Sequence, residues 1–261
     1  MHKWVSKILL ILGLAAISSL AIHPTWAQSD DKEKPPVYIY VAEWAVPRAD
    51  WPAYEKADLG YKQAMEKLMA DGTIVSYGFF KVIVHEEGAP THGAWWTANS
   101  IANSMKTLSV LTSLTGPTFD AQSKIFAESK HWDVLLVSRI YGTHSGSFEN
   151  AFLRVGTYKS KPNEGEAADK AMKAYIVPLL EKLLADGTLL SYSVDREAVH
   201  TGDPALFNIA IIAKDAESLD KFHAALDANG KANPTGGPAF GAATEGSAHR
   251  DVLALAWGAL K

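Results

Sequence analysis

A block of sequence occurs twice. Residues 66–77 reappear as residues 181–192, with nine of twelve positions identical and the other three exchanging one aliphatic residue or methionine for another. The match extends outward, since His85 falls on His200 and the run 131–135 falls on 249–253. An offset of 115 (66 to 181) is far longer than the roughly 20–50 residues of solenoid repeats. The chain therefore reads as one small domain duplicated, and whatever it folds into must be built from two like halves.

Each half has the same order of patterns. A β-rich run at 37–44 is echoed at 152–158. A helical segment follows and ends at Asp71-Gly72, and again at Asp186-Gly187, where glycine can take the left-handed cap. Tyr61, Met65, Leu68 and Met69 fall at helical spacing in the first half, as do Met172, Tyr175, Leu179 and Leu183 in the second, where Pro178 divides the helix. Strands are expected at 73–85 and 188–200, then at 93–98 and 206–213. A second helix starts near Ser100 and, with Asp215 as N-cap and Leu219, Phe222 and Leu226 on one face, in the second half. Irregular stretches at 115–130 and 229–248 precede closing strands at 133–141 and 251–257. Two repeats, 37–141 and 151–261, are joined by a polar linker at 142–150.

The order β-α-β-β-α-β, twice, predicts an α+β fold of two tandem ferredoxin-like repeats, each an antiparallel sheet with helices on one face. The first strands want burial on both faces. Ile39 and Val41 alternate with Tyr38, Tyr40, Ala42 and Trp44; Leu153 and Val155 alternate with Phe152, Arg154, Gly156 and Tyr158. The aliphatic sides are expected under the helices, which leaves the aromatic sides to be covered by the other repeat.

On the element order, the duplication and the strand-into-helix entry Val155, Gly156, Thr157, Tyr158, Lys159, Ser160, Lys161, Pro162, the chain resembles the dimeric α/β-barrel superfamily over about residues 37–258. The resemblance implies that the antiparallel sheets pack as an intrachain α/β barrel, giving a monomeric pseudo-dimer or a homodimer of such chains. The superfamily includes cofactor-free oxygenases, isomerases and decarboxylases, haem-binding enzymes and stress-associated proteins, so the fold by itself selects no function.

Residues 1–27 read as a secretory signal peptide: Lys3 and Lys7 precede an apolar run at 8–22, and Thr25-Trp26-Ala27 is an A-x-A-like cleavage site. The run is shorter than the roughly 20 residues that span a bilayer. Residues 28–36 form a flexible tail. The expectation is a protein exported to the periplasm or the exterior of a bacterium, with no stable membrane insertion after cleavage. With 25 Lys+Arg against 29 Asp+Glu, there is no basic excess to suggest nucleic acid.

The absence of cysteine removes disulfides, thiolate metal sites and cysteine nucleophiles. Residues 236–241 lack the Lys and Ser/Thr of a phosphate loop, His85-Glu86-Glu87 is not H-E-x-x-H, and His144 stands where a nucleophile elbow needs serine. No metal site is expected. The strand pairs Tyr77 with His85 and Tyr192 with His200 are candidate catalytic groups, a phenol and an imidazole sharing one strand face. His131 and His249, each two residues before an aspartate, are second-tier candidates. Arg154 and Arg139, mid-strand, are expected to hold a ligand carboxylate, with Glu43 as the alternative internal partner. Tyr40, Trp44, Trp95, Trp96 and Tyr158 are expected to line an aromatic cavity inside the barrel.

These residues point first to an exported small-molecule-binding or stress-associated protein holding a small apolar or aromatic ligand. A cofactor-free oxygenase or isomerase using a His/Tyr pair is the alternative. Haem, with nine histidines as axial candidates but none in a diagnostic context, is a third.

Overall fold

The computed structural model describes residues 34–84 and 86–261. The leader expected at 1–27, the tail up to residue 33 and the candidate His85 lie outside the described residues. In the first half the order is β1 (Val37–Ala45), α1 (Trp51–Ala70), β2 (Ser76–Val84), β3 (His92–Ala98), α2 (Ile101–Thr112), α3 (Pro117–Glu128) and β4 (Lys130–Thr143). The second half follows with β5 (Gly146–Lys159), α4 (Gly165–Tyr175), α5 (Val177–Ala185), β6 (Leu189–Glu197), β7 (Leu206–Ala213), α6 (Ala216–Ala232), α7 (Gly236–Ala243) and β8 (Arg250–Leu260).

All neighbouring strands are antiparallel, and they close a barrel in the order β1-β3-β2-β8-β5-β7-β6-β4. Each half contributes four consecutive staves, β4-β1-β3-β2 and β8-β5-β7-β6, and the halves meet at β2–β8 and β4–β6. Closure leaves no open sheet edge for another chain to pair with.

The repeated Asp-Gly-Thr is a helix stop. After α1, Gly72 takes φ +77° and Asp71 Oδ1 accepts the Thr73 N–H at 2.9 Å; after α5, Gly187 takes φ +76° and Asp186 Oδ1 accepts the Thr188 N–H at 3.0 Å. Glycine tolerates that left-handed φ and the aspartate holds the turn that follows. Asp215 caps α6 as expected, accepting from Ser218 N, and Ser100, where α2 was expected to start, accepts from Asn103 N. Pro178 sits in the first turn of α5, where its missing N–H breaks no bond, and Ile176 is the joint between α4 and α5.

The two faces of the sheet are the reverse of the expectation. Ile39, Val41, Leu153 and Val155 point into the barrel, whereas Tyr40, Ala42 and Trp44 pack beneath the helices of the first half, and Phe152 and Tyr158 beneath those of the second. The lumen of an eight-stranded barrel is just wide enough for side chains of modest size. The layer between sheet and helices has room for rings to lie flat, and they do: Tyr40 stacks on Trp96 at 4.4 Å and Trp44 on Phe126 at 4.5 Å.

Two further expectations are corrected. The stretches read as irregular contain α3 and α7, which complete the helix layers. Phe126 of α3 covers Trp44, and Phe240 of α7 meets Tyr158 edge-on at 5.3 Å. The stretch read as a linker is mostly strand: only His144 and Ser145 separate β4 from β5. Buried Phe148, stacked on Trp95 at 6.3 Å, draws β5 into the barrel from its start. A bulge between Phe148 and Ala151, with Asn150 at φ 55°, restores the register with β8. Among the described residues no helix is long and apolar enough to cross a membrane.

Candidate functional site

Between the first-half sheet and α1, α2 and α3 lies a cavity of ≈ 530 Å³. Its walls are the ring pairs named above together with Tyr54 and Tyr61 of α1. Trp96 is fixed by its indole N–H, which donates to the carbonyl and hydroxyl oxygens of Ser104 at 3.2 and 3.1 Å. Tyr40 is pushed up to about 12 by burial and then by the charge and hydrogen bond of Asp133. At the rim His131 Nε2 lies 3.1 Å from Asp133 Oδ2, both groups open to solvent.

Two polar side chains reach this cavity with acceptors left over. Asp58, on the sheet-facing side of α1, is 3% exposed, and its Oδ2 has no hydrogen-bond partner; Gln122 of α3 is 1% exposed, and its Oε1 has none either. Burial first, and then the charge of Glu55, holds the Asp58 carboxyl well above the usual carboxylate range. Burial thus favours its protonated form, which can donate. Tyr54 and Tyr61 are likewise raised, by burial and then by Asp58. Flat aromatic walls, a carboxylic acid and an amide carbonyl suit an uncharged planar molecule that both accepts and donates hydrogen bonds.

In the second half the side chains at the matching positions are engaged with one another. Arg154, at the place of Tyr40, pairs with Asp251 Oδ1 at 2.7 Å and lies over Phe222 at 5.7 Å. Tyr158, at the place of Trp44, is stacked between His249 at 4.3 Å and Phe207 at 5.5 Å. His249 Nδ1 is 3.1 Å from the Thr157 carbonyl, and its Nε2 is 3.4 Å from Asp251. This cluster is closed upon itself.

The sequence candidates are thus scattered. Tyr40, Trp44 and Trp96 line the first-half cavity, with His131 at its rim, while Trp95 and Glu43 line the barrel lumen. Arg154 faces the helices, so Glu43, on the other side of the sheet, is not its partner. Arg139 is exposed at a bulge between Ser138 and Ile140 that turns it outward. Tyr77 is buried under the first-half helices and pushed up to about 12 by burial and then Glu66; Tyr192 is buried under the second, donating to Glu181 Oε1 at 3.0 Å. His200 does not join Tyr192, because β6 ends at Glu197, whose carboxylate accepts Thr201 N and Gly202 N and turns the chain; His200 is exposed beyond it.

Asp58 and Gln122 escaped the sequence reading. The available signal was an acid at the core-facing spacing of Tyr54, Tyr61 and Met65. Haem does not fit the donor set of this cavity: His131 is the one imidazole on its described lining, and it stands at the solvent edge with Nε2 on Asp133. Among the described residues no group of three or more His, Asp or Glu is placed to hold a metal ion.

No protein-family model matches the chain, and no curated protein sequence does. Among solved structures, a candidate monooxygenase from Lactobacillus acidophilus NCFM superposes with a TM-score of 0.58 at 10% identity, covering 87% of this chain and 100% of that one. A candidate monooxygenase from Fusobacterium nucleatum gives 0.60 at 12% identity, covering 87% and 94%. Identity this low speaks to fold alone. What the likeness and the strand pairing share is the fold: an α+β chain whose eight antiparallel strands close into a barrel.

Proposed function

We propose that the protein takes up a small, uncharged aromatic molecule in the first-half cavity. We read the halves as a duplicated ferredoxin-like unit of which one has kept a ligand space and the other has closed it. The observation that carries the reading is the pair of unpartnered buried groups, Asp58 Oδ2 and Gln122 Oε1, at a ring-lined cavity. Buried polar atoms without partners are rare and costly, and a ligand bearing a hydroxyl group, which can donate to the amide oxygen and accept from the protonated acid, would satisfy them. No arginine is on the described lining of this space, so the carboxylate ligand suggested by Arg154 and Arg139 gives way to a neutral one.

Titrating the full chain with 1-naphthol and 1-naphthoate tests this by fluorescence. Naphthol is expected to bind and naphthoate to be rejected, with Asp58→Leu weakening naphthol at least about tenfold. Equal binding of both, or indifference to Asp58→Leu, would sink the proposal.

A second reading adds turnover to the same site. It is favoured by the His131–Asp133 pair at the rim beside Tyr40, and by the two candidate monooxygenases of like fold. A phenol that loses its proton can pass electrons to O₂ directly, and 1-naphthol plus O₂ balances as 1,4-naphthoquinone plus water. His131 would accept the hydroxyl proton while Asp133 orients the ring. Oxygen uptake with naphthol that falls in His131→Gln would support turnover; binding without uptake leaves the carrier reading. Export to the periplasm or exterior, and a monomeric or homodimeric state, belong to the same proposal.

A further inference from the structure

The barrel lumen holds a separate cavity of ≈ 320 Å³. Most of its wall is aliphatic, with Ile39, Val41, Leu153, Val155 and Ile212 around the indole of Trp95. One end is polar. Asp195, near the end of β6, pairs across the sheet with Asn208 of β7, which pairs in turn with Thr157 of β5. Thr157 Oγ1 donates to Asn208 Oδ1 at 2.8 Å, and Ser193 Oγ donates to Asp195 Oδ2 at 2.8 Å. Asp195 Oδ1 has no partner, although the residue is only 3% exposed. Glu43 lines the same cavity from β1, at the position that matches Thr157 on β5.

The fold does not require this polar group. At the positions matching Asp195 and Asn208 the first half has Phe80 and Gly93, paired across β2 and β3 in the same way, and there a phenyl ring fills the space beside the glycine. A buried acid with an orphan oxygen, present in one half and dispensable in the other, points to something it binds.

The charges decide what that is. The titratable residues on the lumen's lining are Glu43, Asp195, Tyr141, Tyr192 and Lys261, the Tyr192 ring itself lying on the helix side of the sheet. The phenols donate to the Pro35 carbonyl and to Glu181, and the Lys261 amine reaches the Met69 carbonyl at 3.5 Å. No arginine or histidine lines the described cavity. An anion would meet two acids in an apolar chamber. A neutral ligand would leave Asp195 uncompensated on ionisation. An ammonium group has three donors and a charge of the right sign, its carbon body fits the aliphatic wall, and Trp95 offers a π face.

We infer that the barrel lumen is a binding site for a small organic amine in its ammonium form, anchored on Asp195 with Glu43 as second acceptor. In the free protein, burial pushes the Asp195 carboxyl up to about 7, prevailing over the lowering by the neighbouring Ser193 and Ser138 hydroxyls. The ammonium displaces that proton: protonated Asp195 plus R–NH₃⁺ gives the carboxylate–ammonium pair and H⁺.

The test compares three ligands of one shape on the full chain by calorimetry: benzylammonium, benzyl alcohol and benzoate. Benzylammonium should bind at least about tenfold tighter than the alcohol, and benzoate not at all. Repeating the amine titration in buffers of different ionisation heat should reveal proton release below pH 7 that disappears well above it. Asp195→Asn should cost the amine at least about tenfold and leave the alcohol unchanged, while Val155→Trp, which occupies the lumen, should abolish both. Equal affinity for the three ligands overturns the inference, as does amine binding indifferent to Asp195→Asn. Loss of amine binding on filling the first-half cavity with Ala94→Ile, rather than the lumen, also overturns it. None of these outcomes bears on naphthol.

Discussion

Under α1, α2 and α3 the sheet of the first half carries a ring-lined cavity; under α4, α5, α6 and α7 the sheet of the second carries a deeply buried, largely aliphatic cluster. The strands are laid out alike, so the difference lies in what points up from them. Ala94 and Trp96 on β3 stand where β7 has Ile209 and Ile211, and Tyr40 and Trp44 on β1 stand where β5 has Arg154 and Tyr158. In the second half aliphatic side chains from both layers interdigitate, with Leu180, Leu189 and Ile211 almost wholly buried, and Phe240 of α7 closes the end. In the first, large rings lie flat and cannot interlock, and the acid and amide of α1 and α3 occupy positions that hydrocarbon could have taken. Two packings on one scaffold show that the same layer accepts flat rings around a cavity or interlocking aliphatic side chains.

The largest expected effect comes from the cores themselves. Leu180→Ala removes a side chain from the aliphatic cluster and should cost about 3–5 kcal/mol of unfolding free energy. Met65→Ala, at the matching place on α1 but facing the cavity, should cost clearly less, because fewer contacts are lost. Urea denaturation of the two variants decides it; equal losses would mean that the first half is as tightly packed as the second.

Asp195→Asn comes next and probes the asymmetry inside the barrel. A carboxyl raised from 3.8 to about 7 keeps its proton when folded and loses it when unfolded between those values. Stability of the parent protein therefore falls as pH rises through that window and levels off above it. The asparagine variant lacks this loss, so it should be the more stable by on the order of 2–4 kcal/mol at pH 8, with the gap closing toward pH 4. A gap independent of pH would show that Asp195 does not titrate there.

Much of this molecule could be read from its residues, and the failures have physical causes. The duplicated Asp-Gly-Thr gave both helix ends, because a left-handed glycine and an aspartate-held turn are local devices. Residues 206–213 could be read as β7 to the residue, a run of Leu, Phe and Ile bounded by turn-forming polar residues. The face of each strand could not, since β1 is apolar on both sides and period two alone does not say which side meets helices. Helix α3 was hidden because Gln122 interrupts the apolar stripe of Phe119, Ile125 and Phe126, and α7 because Gly236, Gly237 and Gly241 are poor helix formers. Of the candidate site, the rings Tyr40, Trp44 and Trp96 were visible as a group. Asp58 and Asp195 were not, for an acid looks the same in sequence whether it faces water or a chamber.

A smaller effect is expected where the second half is copied into the first. Ala94→Ile installs the counterpart residue Ile209 at the cavity wall. It should raise stability by about 1 kcal/mol through filling space and remove naphthol binding; a thermal scan and the fluorescence titration report the two separately. Binding that persists would place naphthol outside this cavity.

The smallest effect should appear where the halves are alike. Asp71→Ala and Asp186→Ala each delete the carboxylate that accepts the N–H two residues on, and in both cases those hydrogen bonds, to Thr73 and Thr188, hold the acid below its usual range. A depressed folded-state value means that the contribution is present above the unfolded value near 3.8 and is lost as pH falls toward the lowered one. Both variants should therefore melt slightly and equally early at pH 7 and match the parent in strong acid. The caps see only their own turn, so the void above one sheet should not reach them. A larger drop for Asp71→Ala would mean that the first half relies on its helix end in a way the second does not, and that the cavity weakens the whole layer instead of only the side chains that line it.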